Sequence, residues 1–386
     1  MDSYRYIVTC PKGLLPYAQA EIESLGYQPI GRGPAAIEIV GDSRTMYRLN
    51  LWLRCAHRVL LKLWEGTAAT AADLYHWAVR LPWEEHILPT SVLTVSASVR
   101  NVTIRNSLYA CQKLKDAIAD RLRNRLGKRP DSNGRTRQAV VFLYWRENDV
   151  AVYFDTSGVP LSKRGYRRMT AAAPLSEALA AAVLAASGWT GDVPLINPMS
   201  GSGTIAIEAA MIARRIPPAW LRTSFSFQHW RGYRPDLWHD EIGRAEQGIV
   251  ERQLTVIACD TSPEAYRAAR VNAHAAGVGG NIRFLHCDYR EMPLPPPPAT
   301  IIVNPPYGIR IGEQHEVAVL YKQLGDWLKR ECSGMRCFVL TTPSCAKHVG
   351  LHAERRSPFF NADIECRLIE YELYRGSRRT SPDVGT

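Results

Sequence analysis

Val193-Pro194-Leu195-Ile196-Asn197-Pro198-Met199-Ser200-Gly201-Ser202-Gly203-Thr204 is a short apolar run followed by a glycine turn, and it leads into the alanine- and isoleucine-rich stretch 205–214. The pattern predicts a strand, a tight turn and a helix. Glycine lets the backbone approach a ligand without an intervening Cβ, and the free N–H groups at a helix start can bind polar ligand atoms. No Gly-Lys-Ser/Thr follows, so the turn is not a P-loop. Because many α/β turns contain glycines, this stretch alone only suggests a nucleotide-like ligand.

Two acidic residues follow the next predicted strands. The strand 254–259 ends at Asp260, and Ser262-Pro263 begins the following helix, while the strand 282–286 precedes Asp288. An acid after the second strand of a doubly wound sheet can accept hydrogen bonds from ribose hydroxyls. We expect Asp288 to lie near an adenine amino group. The alternative for Asp260 is a simple helix cap.

Asn304-Pro305-Pro306-Tyr307 follows the short apolar strand 299–303. Proline has no N–H to donate, but its carbonyl still accepts. The Asn304 side-chain oxygen and the Pro305 carbonyl can therefore accept both hydrogens of an exocyclic amino group, and Tyr307 offers a face on which a base can stack. The alternative is a proline-rich structural turn.

The chain is basic, and much of its charge lies in one segment. Of 386 residues, 48 are Lys or Arg and 37 Asp or Glu, giving a net charge of +11 that favours a polyanionic partner. The segment 100–137 has eleven basic and three acidic residues, and its stretch 107–126 predicts an amphipathic helix with Leu108 in the buried stripe. A second basic cluster spans 163–168. The alternative for both is a solvated or linker surface. The candidate RNA-binding residues are Arg100, Lys113, Lys115, Arg121, Arg123, Arg125, Lys163, Arg164 and Arg167.

The first 160 residues predict small α+β units. The order strand, helix, strand around the basic helix resembles a THUMP domain, an RNA-binding module, here behind a ferredoxin-like piece. We predict a ferredoxin-like subdomain over 1–62, a THUMP domain over 63–160, a catalytic domain over 161–374 and a tail over 375–386. The aromatic-rich insertion, whose aromatic residues lie between 220 and 238, is expected to pack as a small cover of its own.

Four stretches together resemble one enzyme family: 161–167, 173–175, 201–210 and 304–308. They are similar to the THUMP-containing class I S-adenosylmethionine-dependent RNA guanine-N2 methyltransferases, nearest to the branch that acts on 23S ribosomal RNA. The resemblance implies an α/β Rossmann-like catalytic domain, S-adenosylmethionine as cofactor and RNA as partner. The catalytic residues would be Asn304, Pro305, Pro306 and Tyr307. The cofactor-binding residues would be Asn197, Pro198, Ser200, Gly201, Gly203, Thr204, Asp260, Ser262, Asp288, Tyr289 and Asn304.

The chain departs from that family at three positions. Asn197 stands where the family usually has aspartate, Ser200 where cysteine is frequent, and Ile309 where the ribosomal branch commonly has glutamate. Alternative functions are methylation of a transfer RNA guanine, of another amino group such as DNA adenine N6, or a noncatalytic RNA-binding assembly factor in which Asn197 marks lost activity.

Several patterns point away from export. The N-terminus lacks a basic flank followed by an apolar core, and no apolar run reaches the 18 or more residues of a membrane span. Nine scattered cysteines include no Cys-x-x-Cys pair and no histidine cluster at zinc spacing. We expect a cytoplasmic protein with reduced thiols, without a metal or a membrane partner.

Overall fold

The computed structural model describes residues 3–104, 106–128, 138–170, 174–308 and 314–374. The chain forms two compact units. The first runs to Gly165 and takes in Ile216–Ile249, and the second comprises Tyr166–Arg215 and the chain from Val250. The mixed α/β class predicted from the sequence is confirmed.

The first unit is built on one seven-stranded sheet. Its strands are β1 (Tyr4–Thr9), β2 (Pro29–Arg32), β3 (Ala36–Gly41), β4 (Arg58–Thr67), β5 (Leu93–Arg100), β6 (Ala139–Arg146) and β7 (Asp149–Asp155). Its helices are α1 (Leu15–Ser24), α2 (Ser43–Trp52), α3 (Ala71–Ala78), α4 (Ser107–Leu126) and, from the insertion, α7 (Pro235–Gln247). The strand order is β2-β3-β1-β4-β7-β6-β5.

The ferredoxin-like and THUMP parts share this sheet. Strand β4 pairs antiparallel with β1 on one side and with β7 on the other. The predicted division between residues 62 and 63 therefore falls inside a strand that joins both parts. Beyond it, β5, α4 and β6 form a parallel strand-helix-strand crossover, as the THUMP resemblance implies.

Helix α4 has the predicted bounds, because its ends are well specified. The Asn106 side chain accepts from the Leu108 N–H at the start, and Gly127 ends the helix with a left-handed φ of 66°. Leu114 and Leu122 are buried as expected, but Leu108 is 73% exposed. The prediction for Leu108 was wrong because the first turn of the helix projects beyond its packed part.

The aromatic insertion is not a separate cover, so that expectation is corrected. The rings of Phe227 and Trp238 lie 5.0 and 5.9 Å from the ring of Tyr47 on α2. The Ser226 hydroxyl donates to the Gln138 carbonyl and accepts from the Val140 N–H. The insertion therefore completes the apolar core of the first unit.

The second unit has the predicted Rossmann-like architecture. Its strands are β8 (Leu195–Asn197), β9 (Val256–Asp260), β10 (Ile282–His286), β11 (Thr300–Val303), β12 (Arg336–Thr341), β13 (Arg355–Asn361) and β14 (Ile364–Glu372). Its helices are α5 (Glu177–Ser187), α6 (Thr204–Ala213), α8 (Pro263–Ala275), α9 (Gln314–Glu331) and α10 (Pro343–Ala346). The order is β10-β9-β8-β11-β12-β14-β13, with β8 to β12 parallel and the β13–β14 hairpin antiparallel.

The central strands β8, β9 and β11 are buried almost throughout, as expected for a sheet covered on both faces, whereas the edge strand β10 carries exposed Arg283 and His286. Ile196, Ile301 and Val303 have no solvent exposure and pack with Tyr321 and Leu324 of α9. This core holds the carboxyl ends of four neighbouring strands at one edge, where ligands bind in open α/β sheets. No helix in the described part of the chain combines the length and apolarity needed to cross a bilayer.

Candidate active site

A cavity of about 700 Å³ opens at the carboxyl ends of β8, β9, β10 and β11. Its size is that of a small-molecule site. Its lining includes the glycine turn, both predicted acids and the whole Asn-Pro-Pro-Tyr motif, together with residues of the β13–β14 hairpin. The lining residues are Pro174, Leu175, Asn197, Met199, Ser200, Gly201, Ser202, Thr204, Ile205, Asp260, Thr261, Asp288, Tyr289, Asn304, Pro305, Pro306, Tyr307, Gly308, Leu320, Asn361 and Ile364.

The glycine turn has a conformation that depends on its glycines. Gly201 and Gly203 have φ values of 55° and 80°, which L side chains rarely adopt. A Cβ on Gly203 would also come within 2.9 Å of the Ala269 side chain on α8. Gly203 therefore lets α6 begin close against α8, and the first residues of α6 face the cavity.

Asp260 ties this turn to the second strand. One oxygen of its carboxylate accepts from the Gly201 N–H at 2.8 Å, and the other accepts from the Ser262 N–H at 3.0 Å. Asp260 thus organises backbone on both sides while lining the cavity. Its role combines loop positioning with an acceptor surface for a ligand.

Asp288 and Tyr289 form a second polar part of the lining. The Arg290 guanidinium donates to both oxygens of Asp288, at 2.9 and 2.7 Å, and holds the pKa of Asp288 below its ordinary value. Asp288 is therefore ionised at neutral pH and can accept from an amino group. Tyr289 is buried against Trp327, with ring centroids 5.1 Å apart, and burial raises its pKa.

The first and last side chains of the Asn-Pro-Pro-Tyr motif are hydrogen-bonded to each other. The Tyr307 hydroxyl donates to Oδ1 of Asn304. Burial raises the pKa of Tyr307 above its ordinary value, so the phenol keeps its proton. The Asn304 oxygen retains a second lone pair, because an amide carbonyl can accept two hydrogen bonds.

Asn197 leaves a buried acceptor at the cavity. Its Nδ2 donates to the Ile302 carbonyl at 2.8 Å, which fixes the orientation of the amide. Its Oδ1 is buried and has no hydrogen-bond partner among the described residues. A buried, unpaired polar atom costs free energy, so this oxygen fits a site that a donor on a ligand completes.

Three predicted cofactor residues do not line the cavity within the described ranges: Pro198, Gly203 and Ser262. Ser262 caps α8, since its hydroxyl accepts from the Ala265 N–H. Sequence reasoning missed Asn361 and Ile364, which come from the β13–β14 hairpin. The stretch 364–368, which resembles the ribosomal branch of the family, was a signal for Ile364, and no sequence signal pointed to Asn361.

Some of the predicted RNA-binding residues are exposed to solvent, and others are partly buried or held by contacts within the protein. Arg121 is engaged, because its guanidinium makes two hydrogen bonds to Glu84, at 3.0 and 2.6 Å. Lys113 and Lys115 are half-buried. The exposed members are Arg100, Arg123, Arg125 and Lys163, although Arg123 also pairs with Asp120 at 2.9 Å and Arg125 with Glu84 at 4.0 Å.

The structure does not support the prediction that Arg164 and Arg167 contact RNA. Arg164 is 1% exposed and donates to the carbonyls of Leu161 and Arg54, so it stabilises backbone in the first unit. Arg167 donates to Glu177, to the hydroxyls of Ser202 and Thr204, and to a backbone carbonyl. Arg167 therefore stabilises the glycine turn through its hydrogen bonds to Ser202 and Thr204. The charges of Arg164 and Arg167 are visible in the sequence, but the hydrogen-bond partners that hold these side chains inside the protein are not.

Arg167→Ala is expected to lower the free energy of unfolding by about 3 kcal/mol, because it leaves the buried Glu177 carboxylate without its cation. Urea denaturation of the cofactor-free protein measures this. The matched control is Arg168→Ala, an exposed neighbour, which should change stability by less than about 0.5 kcal/mol. Unchanged stability together with weaker RNA binding in Arg167→Ala would return this residue to the RNA surface.

Three family descriptions match consecutive parts of the chain. A ferredoxin-like domain of RlmL type matches residues 5–60, and a THUMP domain matches residues 68–155. The UPF0020 family, described as an RMKL-like methyltransferase domain, matches residues 164–370.

The similarity to known proteins extends over nearly the whole chain. The provisionally named RNA methyltransferase slr0064 of Synechocystis is 32% identical over 96% of this chain and 97% of its own length. The ribosomal RNA large subunit methyltransferase K/L of Syntrophotalea carbinolica is 34% identical over 96% of this chain, but the chain spans only 53% of that relative. The crystal structure of SMU.472, a provisionally named methyltransferase complexed with SAH, has a TM-score of 0.88 at 25% identity and covers 98% of this chain and 100% of its own. On its sequence, fold and site, the chain belongs to the THUMP-containing, S-adenosylmethionine-dependent RNA methyltransferases.

Proposed function

We propose that this protein transfers a methyl group from S-adenosylmethionine to the exocyclic N2 of a guanosine in large-subunit (23S) ribosomal RNA. The observation that carries the proposal is the cavity that brings Asn304 and Tyr307 together with Asp260 and Asp288. One part of that cavity offers acceptors for a nucleoside, and another offers acceptors and an aromatic ring for an amino-bearing base. The K/L relatives, of whose length the chain spans about half, supply the choice of RNA.

The cofactor fits the residues present. The unpaired Oδ1 of Asn197 can accept from the ammonium group, so asparagine can replace the family's aspartate in this role. Asp260 would accept from ribose hydroxyls, and Asp288 from the adenine amino group. Ser200, Gly201 and Thr204 line the cavity between these anchors.

The chemistry requires positioning more than a strong base. S-adenosylmethionine, when bound, supplies an electrophilic methyl group. The lone pair of guanine N2 is delocalised into the ring, so the amine is a poor nucleophile. Asn304 Oδ1 and the Pro305 carbonyl would accept its two hydrogens and favour a tetrahedral nitrogen. Orientation of this kind is worth effective molarities of about 10⁵ M or more. A paired guanosine would first have to leave its helix.

RNA binding would use the exposed and half-buried cations of α4 and its flanks. If about six phosphates are neutralised, affinity should fall roughly 10³-fold between 50 and 200 mM salt. Replacing Lys113, Lys115, Arg123 and Arg125 with Gln should reduce the slope of log affinity against log salt by about 3, as each lost phosphate contact contributes about 0.7–0.9. Fluorescence anisotropy with a ribosomal RNA fragment measures the slope.

The matched control for this surface is Arg121→Gln. It removes one charge from the same helix, but the Arg121 side chain is only 17% exposed and makes two hydrogen bonds to Glu84, whereas Arg123 and Arg125 are 57% and 62% exposed. Its salt slope should stay close to that of the wild type. An unchanged slope in the fourfold variant would reject α4 as the phosphate-binding surface.

Nucleoside mass spectrometry tests the whole proposal. Ribosomal RNA from a strain lacking the gene should lose one N2-methylguanosine and regain it when the gene is restored. Loss from transfer RNA, or of N6-methyladenine from DNA, would identify the alternative substrates. Isothermal titration with S-adenosylmethionine distinguishes a methyltransferase, which would bind the cofactor, from a noncatalytic assembly factor, which would not.

The functional divisions proposed are 1–62, 63–160 and 161–374, the last interrupted by 216–249, which packs in the first unit. Residues 375–386 are proposed as a tail and lie outside the described residues. We also place the activity in the cytoplasm, where ribosomal RNA of bacterial relatives is modified.

A further inference from the structure

The β5–β6–β7 part of the first sheet has one buried face and one open face. Along β6, Val141, Leu143 and Trp145 are buried without solvent exposure. Residues between them point to the other face, because successive side chains of a strand alternate. Helix α4 packs on the buried face of the sheet, so the open face is a different surface from the one proposed above for phosphates.

Three aromatic rings occupy the open face. Phe142 and Tyr153 are cross-strand partners, with ring centroids 6.3 Å apart. Tyr144, two residues along β6, is 40% exposed, although large aromatic side chains usually bury more of their surface. Ser96 and Ser98 of β5 lie beside Phe142 and Tyr144 in the parallel register and add hydroxyl groups.

Two unpaired arginines end the same face. Arg100 and Arg146 are partners in the β5–β6 register, and both are exposed. Neither forms an ion pair with any residue in the described ranges, although Asp149 lies opposite Arg146 in the hairpin.

The adjoining half of the open face, on β1, β3 and β4, differs in how its charges are paired. On β1, β3 and β4 the cations are matched by acids, since Arg5 pairs with Glu38 at 3.5 Å and Lys62 with Glu65 at 2.6 Å. Burial raises the pKa of Tyr153 to about 12, and these two carboxylates add to the rise. Positive charge without an internal partner is therefore found beside the aromatic rings at the β5–β6 end.

We propose that this face, formed by Phe142, Tyr144, Tyr153, Arg100 and Arg146, is a stacking platform for unpaired bases of the RNA substrate. Aromatic rings on an open sheet are suited to stacking splayed-out bases, and flanking arginines can contact the phosphates between them. The internal base pairs of a duplex cannot use the rings, because they are already stacked on each other. The inference rests on the proposed RNA partner, but not on which base is methylated.

The test compares a fluorescein-labelled eight-nucleotide uridine strand with a blunt RNA duplex of equal length. Tyr144→Ala should weaken binding of the single strand by about tenfold, the effect of losing one stacked base, and leave duplex binding unchanged. Tyr144→Phe keeps the ring and should bind like the wild type. Because Tyr144 is exposed, these variants should fold normally.

Two controls separate this platform from α4. Tyr109→Ala removes a ring that is 51% exposed on α4, and it should not change the preference for single-stranded over duplex RNA. The fourfold α4 variant should weaken both ligands. Cross-linking with 5-iodouridine should place the label on Tyr144 or Phe142.

Equal weakening of both ligands by Tyr144→Ala, or no weakening of either, would overturn the platform. So would cross-links confined to other residues. Binding of S-adenosylmethionine should be unaffected by Tyr144→Ala. Failure of the wild type to bind that cofactor would instead count against the proposed catalysis and leave the single-strand measurement to stand on its own.

Discussion

Asn304→Ala is expected to lower the single-turnover rate of methyl transfer at saturating RNA by about 10²- to 10³-fold, as happens when one preorganised hydrogen-bonding partner of a transition state is removed. The side chain would lose the oxygen that accepts from the target amine. Binding of RNA should survive, because the exposed cations of α4 are untouched. Transfer of a labelled methyl group under single-turnover conditions measures the rate.

Variants of Tyr307 serve as controls for that result. The Tyr307 hydroxyl donates to the same Asn304 oxygen, so Tyr307→Phe frees the oxygen and keeps the stacking face; most activity should remain. Tyr307→Ala removes the face and should lose about 1–3 kcal/mol of base stacking. If Asn304→Ala transferred methyl at the wild-type rate, the motif would be only a structural turn.

Asp260→Ala should weaken S-adenosylmethionine binding by about 10²-fold. Hydrogen bonds to a charged group are worth about 1.5–3 kcal/mol each, and the carboxylate can accept from two ribose hydroxyls. The variant also releases the N–H groups of Gly201 and Ser262. Isothermal titration calorimetry measures the loss, and thermal unfolding without cofactor measures the cost to the fold.

Asp260→Asn distinguishes the two contributions of this residue. The amide keeps one oxygen for a backbone N–H but loses the charge and one acceptor, so it should bind the cofactor with intermediate affinity. Wild-type affinity in Asp260→Ala would show that the side chain is only a cap for the turn and α8.

Elements with strong local signals were predictable from the sequence. Helix α4 was predicted with its observed bounds from its apolar stripe, and in the structure the Asn106 cap and Gly127 fix those two ends. The hairpin of β6 and β7 is likewise predictable, because its alternating strands flank the polar stretch 147–149. The cavity could also be anticipated, since Asp260, Asp288 and Asn304 each end a strand of a parallel sheet, and such ends meet at one edge.

Partnerships across long sequence separations were not predictable. The basic stretch 163–168 reads as one surface, yet Arg164 donates to the carbonyl of Arg54, and Arg167 to side chains at positions 177, 202 and 204. Likewise, the hydroxyl of Ser226 reaches Gln138 and Val140. A charge or an aromatic cluster in the sequence does not reveal which distant backbone will satisfy or cover it.

The path of the chain limits how these parts can be exchanged. Because the insertion 216–249 belongs to the first unit, the chain passes between the units three times, after Gly165, Arg215 and Ile249. After a single proteolytic cut at Gly165, residues 1–165 would be held only by their packing with 216–249, which would remain covalently joined to the second unit at both ends. A fragment ending at Gly165 would lack Phe227 and Trp238 and would expose the site on Tyr47 that they cover. Grafting this RNA-binding half onto another enzyme therefore requires two separate pieces of sequence.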